Sequence, residues 1–372
     1  SEADFRAELD TTLSTLPDRT ERLNALRRFR RREMLRIGTR DICLAGEFDA
    51  VVGEISALAR AIVDASVSFH QAGSEEAAAT GRWCVLAFGK LGGRELNYSS
   101  DIDLLAIYEP NSGVKEQEQR VARMFRHVVR DLTDFTVEGQ AYRVDLRLRP
   151  WGNAGRLVYS IPTLERYYAA EAALWELQAL IKLSPVAGDL DLGWRFLEAL
   201  RPVFSRRVEQ AGISAIRGTV RQLRARAVEE HDAMPAETGT VVGTDIKNGE
   251  GGIRDVEFLV QALQLQHHRL APEILTGNTL SALRRMEEAG ILAAEQVETL
   301  SQDYLFLRRI EHFLQVYDDQ QLHAIPAEPA AQAKLTRVVL GDGATVDALL
   351  QHIGETLARV RSHYLSVISD PS

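Results

Sequence analysis

Two aspartates two residues apart, Asp101 and Asp103, open an apolar run just behind a glycine-rich turn, Gly89-Lys90-Leu91-Gly92-Gly93. Side chains alternate faces along a strand, so both carboxylates point one way and Ile102 and Leu104 the other. Neighbouring carboxylates repel each other and lose hydration, an arrangement that a divalent cation relieves, and magnesium with its oxygen ligands is the first expectation. A later segment alternates in the same manner: Tyr142, Val144, Leu146 and Leu148 on one face, Arg143, Asp145, Arg147 and Arg149 on the other. If the two strands pair in register, Asp145 completes a trio able to hold two magnesium ions, one activating an attacking oxygen and one steadying a leaving oxygen. The arginines of that face, Arg143, Arg147 and Arg149, would then grip phosphate oxygens with their planar forks. An isolated Asp-x-Asp, or an Arg/Asp stripe on a half-exposed strand, is ordinarily a solvated face. Here the glycine turn, the acidic pair and the later aspartate follow one another in order.

A second glycine-rich element, Asp245 to Phe258, places Gly249, Gly251 and Gly252 immediately before a helix. Free amides at a positive helix end make an anion site, and Lys247 would reach the same phosphate. The same glycines equally suit tight packing, Asp255 and Glu257 equally suit dipole compensation, and Arg254 and Glu257 at i, i+3 can pair. His267-His268 has no carboxylate or cysteine at ligand spacing and reads as a surface or helix-end pair. No Ser/His/Asp arrangement, cysteine nucleophile or Walker-type loop stands out.

The elements that must position these residues are legible from periodicity. Helices are expected around Arg27 to Arg36 and over Glu47 to Ser68, where Val51, Val52, Ile55, Leu58, Ala59 and Ile62 form a stripe. A polar link, Gln71 to Arg82, precedes strands at Trp83 to Phe88, Ile102 to Tyr108 and Ala141 to Leu148, with a helix from Lys115 to Phe135 between the last two. Leu157 to Ser160 adds a short edge strand and Pro162 opens a helix through Lys182. Beyond Leu190 the periodicity is helical: Asp191 to Leu200, Arg206 to Asp232, Ile253 to His268, Thr279 to Ala289, Ala294 to Asp318 and Thr345 to Ile368. The expected architecture is α+β: a helical segment over 1–75, a sheet-containing core over 76–189, and a helical domain over 190–372.

A chain of 372 residues, 45% hydrophobic, suffices for a large core. Its formal charge of -9 disfavours a general nucleic-acid binder. The basic run Arg27 to Arg36 reads as an amphipathic helix with a solvated face or as a docking surface for an acidic partner. No apolar run suggests a membrane span or secretory leader, and Cys43 and Cys84 form neither a metal-ligand spacing nor a disulfide framework, so a cytoplasmic protein is expected.

Three strings, Phe88 to Gly93 with Ser99 to Leu104, Arg143 to Pro150, and Gly251 to Phe258, resemble the glutamine synthetase adenylyltransferase/adenylyl-removing enzymes, and the resemblance runs from about Arg27 to Pro326. It implies a DNA polymerase beta-like nucleotidyltransferase core in which Asp101, Asp103 and Asp145 are catalytic and bind Mg2+. Gly89, Lys90, Gly92, Gly93, Ser100, Arg147, Arg149, Lys247, Gly251 and Gly252 would contact nucleotide or phosphate. The general pattern places a glycine and a second small residue further ahead of Asp-x-Asp than Gly92-Gly93 stands. Gly89-Lys90 has the longer gap but lacks the small residue, so either pair is a candidate for the phosphates. The family carries two homologous catalytic halves, and this chain is long enough for one. Arg254 within Gly252 to Glu257, the segment Leu305 to Glu311, Asp319-Gln320-Gln321 and Ala324-Ile325-Pro326 are similar to the amino-terminal, deadenylylating half. The resemblance then implies that orthophosphate attacks the adenylylated tyrosine of glutamine synthetase to give ADP, with a PII-type signal protein as regulator. ATP-dependent adenylylation is the alternative on the same scaffold, and a non-catalytic docking module is the alternative from another class.

Overall fold

The computed structural model describes residues 1–16, 18–44, 46–71, 80–113, 116–229, 241–318 and 323–369, in two compact units, Ser1–Arg207 and Val208–Ser372. The link residues Gly73 to Glu76, Lys115 at the start of one expected helix, Asp232 at the end of another, and Asp319-Gln320-Gln321 lie outside the described residues.

The first unit opens with α1 (Glu2–Ser14), α2 (Arg19–Cys43) and α3 (Phe48–Gln71). Ser1 and Asp4 form a capping box on α1, and Asp18 caps α2 through the Glu21 amide, satisfying amides that have no partner within a helix. The apolar stripe expected on α3 widens to nearly the whole circumference: Ala57, Ala61, Val63 and Val67 are buried with Val51, Ile55, Leu58 and Ile62. A helix apolar all round belongs inside a core, and α3 packs against α1, α2 and the sheet. The helices over 1–71 thus share a unit with the sheet.

The sheet has the order β3-β2-β1-β5, formed by β1 (Trp83–Ala87), β2 (Ile102–Tyr108), β3 (Val144–Asp145) and β5 (Ser184–Gly188), with β4 (Val158–Ser160) also on β2. The β1–β2 and β1–β5 pairs are antiparallel, whereas β3 and β4 both run parallel to β2, one at each end of the same edge. Between them lie a single turn, α4 (Gly89–Gly92), then α5 (Gln117–Thr133), α6 (Ile161–Ala170) and α7 (Leu174–Leu180).

Three expectations change. The strand expected over Ala141 to Leu148 shrinks to Val144–Asp145, because the chain turns at Arg147 and Arg149 donates its Nε–H to the Leu146 carbonyl at 2.7 Å. The single helix from Pro162 to Lys182 is two, since the amides of Glu171 and Ala172 both turn back onto the Tyr167 carbonyl and Glu176 caps the next helix through the Ala173 amide. Strand β5 was hidden by Pro185 and Gly188, residues that argue against a strand interior but are tolerated on an edge, here with a register irregularity opposite Val85 and Leu86.

The helix α8 (Leu190–Glu229) is broken at Gly212, whose φ of 76° and ψ of 168° are not helical. The second unit continues with α9 (Ile253–His267), α10 (Thr279–Glu288), α11 (Ala294–Asp318), α12 (Pro329–Leu340) and α13 (Val346–Ile368). Helix α12, opened by Pro329, was not anticipated from the pattern. Among the described residues no helix is long and apolar enough to cross a membrane.

Candidate functional site

In the parallel ladder Ile102 lies opposite Val144 and Asp103 opposite Asp145. Register partners on neighbouring strands project to the same side, so the carboxylates of Asp103 and Asp145 stand side by side while Ile102 and Val144 turn to the core. Asp101, two residues before Asp103, enters from the same side. The Ile102 amide bonded to the Arg143 carbonyl at 3.0 Å fixes this pairing.

The glycine turn borders the same side. Gly89 has φ of 58°, and a Cβ there would lie 2.6 Å from Asp103 Oδ2, so the missing side chain leaves that carboxylate its space. At Gly92 a Cβ would stand 1.8 Å from the Lys182 carbonyl oxygen and 2.3 Å from that of Ala87, so this glycine lets two backbone segments meet. The Gly93 amide bonds the Gly89 carbonyl at 3.0 Å and closes the turn, within which Lys90 is half-buried. The loop that follows is braced from three directions. Leu96 donates its amide to Ser56 Oγ (2.9 Å), the Tyr98 hydroxyl donates to Asp41 (2.8 Å), and Ser100 Oγ accepts the Asn97 amide (3.3 Å). Glu95 and Lys182 form a buried ion pair at 2.6 Å, and the Ser184 hydroxyl bonds the Gly92 carbonyl at 3.1 Å.

Asp101 and Asp145 are each met by an arginine. Arg143 Nε meets Asp101 at 2.5 Å, and its NH2 also reaches the Ser99 carbonyl at 3.0 Å. Asp145 accepts the backbone and side-chain N–H groups of Arg147, both at 2.8 Å. Burial works against the charge on Asp145, but these bonds outweigh it and hold the carboxyl below its usual value. Among the described residues no group of three or more His, Cys, Asp and Glu side chains is gathered closely enough to hold a metal ion. The donor chemistry nevertheless fits: two register-paired carboxylates beside a glycine are hard oxygen ligands suited to Mg2+. Asp101 would join them on leaving Arg143. A depression of about 660 Å³ lined by Tyr108, Glu118 and Arg156 lies at the far end of β2 and does not cover the acids.

Several expected contacts fall elsewhere. Arg149 is buried, with its Nε on the Leu146 carbonyl and its NH1 on the Arg156 carbonyl at 2.6 Å, so it locks the loop instead of standing free as a phosphate clamp. Arg143, expected to grip phosphate with the other arginines of its strand face, is instead engaged by Asp101. In the second unit the amides of the glycine element are already used. Gly249 donates to the Asp245 carbonyl (2.7 Å), Gly251 to Asp255 Oδ2 (2.7 Å), Gly252 to the Gly249 carbonyl (3.0 Å) and Ile253 to the Ile246 carbonyl (2.9 Å). A Cβ on Gly251 would fall 1.8 Å from the Leu357 carbonyl oxygen, and one on Gly252 2.5 Å from that of Ile246. The expected anion site is therefore corrected to a close-packing element. Lys247 lies 3.7 Å from the buried Glu311 and 3.3 Å from His323 Nε2. Asp255 is buried against Arg224 and Arg361, and burial pushes its carboxyl up. His268 is buried, its Nδ1 2.9 Å from the Leu265 carbonyl.

The basic face of α2 is paired within its own unit: Arg28 and Arg31 with Glu138, Arg32 with Glu8 and Glu33, and Arg36 and Arg40 with Glu54. Arg27 is buried, donating to the carbonyls of Leu23, Asp131, Asp134 and Gly139.

Comparison with known proteins follows the same division. The family model described as glutamate-ammonia ligase adenylyltransferase matches residues 1–199, and that described as GlnD PII-uridylyltransferase matches residues 219–368. A bifunctional glutamine synthetase adenylyltransferase/adenylyl-removing enzyme of Thioalkalivibrio sulfidiphilus is 34% identical over 99% of this chain and 38% of its own length. Similar enzymes occur in Pseudomonas aeruginosa, 34% identical over 99% of the chain and 38% of that protein, and in Streptomyces coelicolor, 36% identical over 82% and 30%. The chain thus spans well under half the length of these relatives. With the first model matching more than half of the chain and covering α1 to α7, the sheet and every carboxylate of the site, this chain belongs to the glutamate-ammonia ligase adenylyltransferase family.

Proposed function

We propose that this chain is a magnesium-dependent nucleotidyltransferase acting on glutamine synthetase, removing AMP from its adenylylated tyrosine by phosphorolysis. The observation that carries the reading is the register pairing of Asp103 with Asp145 beside the side-chain-free Gly89. Asp103 and Asp145, joined by Asp101, would hold Mg2+, which when bound supplies positive charge to the reacting phosphate oxygens. Arg143 and Arg147 are exposed enough to exchange their carboxylates for phosphate oxygens. An orthophosphate oxygen bonds to the adenylyl phosphorus, the bond from phosphorus to the tyrosine oxygen breaks, that oxygen takes a proton, and ADP leaves. In-line displacement of this kind needs positioning and charge neutralisation rather than a nucleophilic side chain. The direction rests on Arg254 and its neighbours, and the uridylyltransferase-like match of the second unit supports a response to a PII-type protein.

The test incubates the chain with adenylylated glutamine synthetase, Mg2+ and orthophosphate. ADP release is expected, and its loss in Asp103→Asn and Asp145→Asn. AMP transfer from ATP onto unmodified glutamine synthetase without any ADP release would overturn the direction. The arginine-held acids also suit a non-catalytic docking module. Manganese titration separates the two, since binding that is unchanged in Asp101→Ala/Asp103→Ala would favour docking.

A further inference from the structure

The face of the sheet that carries the acids also carries an aromatic platform. Asp103 and Ile107 are four residues apart on β2 and so share a face, and Ile107 is the register partner of Tyr159 on β4. Tyr159 therefore stands on the acidic side, roughly 13 Å along the strand from Asp103 at the rise of an extended chain. Trp151 lies on it, ring centroids 5.8 Å apart and planes at 29°, and its other neighbour is Tyr167 at 4.4 Å. Although backed by two buried tyrosines, Trp151 is itself 44% exposed.

The platform is held rigidly. Trp151 has φ of 58°, a left-handed conformation that a bulky residue adopts only when its surroundings dictate it. The surroundings are at hand: the Tyr159 hydroxyl donates to the Pro150 carbonyl at 2.7 Å, and the Gly152 amide to the Arg149 carbonyl at 2.8 Å. Arg149, buried, closes the loop onto Leu146 and Arg156. An indole fixed at this cost, packed against two tyrosines and still half-exposed, offers rigid aromatic surface to a ligand.

We propose that Trp151 is the base-stacking residue of a nucleotide subsite, receiving the purine ring while the carboxylate end of the sheet receives the phosphates. The inference rests on the nucleotidyltransferase reading above. It assigns the indole a role that neither the acidic motif nor the glycine turn requires.

The experiment measures ADP and pyrophosphate affinities of the full chain with Mg2+ by calorimetry, for the wild type, Trp151→Phe and Trp151→Ala. Base-on-aromatic stacking predicts that Trp151→Ala weakens ADP by about 5- to 100-fold, that phenylalanine restores most of it, and that pyrophosphate is unaffected. ADP affinity unchanged in Trp151→Ala, or pyrophosphate weakened equally, would overturn the subsite. Should Trp151→Ala not fold, ADP quenching of indole fluorescence in wild type that is lost in Trp151→Phe supports the proposal, and equal quenching in both refutes it. Trp151-dependent ADP binding without ADP release from adenylylated glutamine synthetase would leave the subsite standing and remove the direction of reaction. ADP release with Trp151→Ala affinity intact would do the reverse.

Discussion

Gly89→Ala separates the two jobs of the glycine turn. The new methyl would sit 2.6 Å from Asp103 Oδ2 and 3.6 Å from its Cγ, the only contacts within 4 Å outside its chain neighbours and its own turn's backbone. The clash is therefore with the end of one side chain, which can swing away by on the order of 1 Å to reach ordinary contact distance. Its backbone cost is that of an L residue at φ of 58°, about 1–2 kcal/mol, which lowers the midpoint of a unit this size by about 2–4 °C per kcal/mol. Catalysis should suffer far more, because a misplacement of about 1 Å at a reacting centre can cost about 100-fold. Thermal unfolding and phosphorolysis, measured on the same preparation, read the two effects. Retention of activity within a few-fold alongside that stability loss would refute the placement of Asp103 at the reacting centre. Gly92→Ala is the internal contrast: its methyl would meet backbone carbonyl oxygens at 1.8 and 2.3 Å that cannot move, so the first unit should lose about 4 kcal/mol or more.

Lys182→Met leaves Glu95 buried beside an apolar chain and should cost about 3–5 kcal/mol, most of it recovered when Glu95→Leu is added; equal loss in single and double variants would discount the pair. Arg147→Gln removes the side-chain bonds that hold Asp145 below its usual value but keeps the backbone amide, so the Asp145 pKa should rise part of the way. A depressed carboxyl contributes stability above its unfolded pKa of about 4 and loses it as the pH falls through the folded value. The variant should thus be less stable at neutral pH and converge on wild type in acid, whereas parallel profiles would contradict the cause assigned. Gly251→Ala drives a methyl to 1.8 Å from the Leu357 carbonyl and should abolish the cooperative unfolding of the second unit in calorimetry, because the glycines there pack helices; an intact transition would return them to an anion-binding role.

Local chemistry was legible in the chain itself. Alternation at Ile102 to Tyr108 assigned Asp101 and Asp103 to one face, and the order of glycine turn, acidic pair and later aspartate pointed to phosphate chemistry before any strand was paired. The long helical periodicities also emerge as helices, since a repeat near 3.6 residues is a property of neighbours in sequence. Tertiary structure decided the rest. Whether Asp145 stands beside Asp103 is a matter of register, and a slip of one residue would have turned it to the opposite face. The alternation of Arg147 and Arg149 with Asp145 looked like one strand face, yet the chain turns after Asp145 and buries Arg149. The glycines before α9 are indistinguishable in sequence from an anion cradle, and only the approach of Leu357 and the claims already made on their amides reveal close packing. Trp151 carried no signal at all, because its meaning depends on β4 bringing Tyr159 to the face that bears the carboxylates. Residue spacing sets which way a side chain points, but which atoms it meets depends on segments far away in sequence, and the chemistry of this site is made at those meetings.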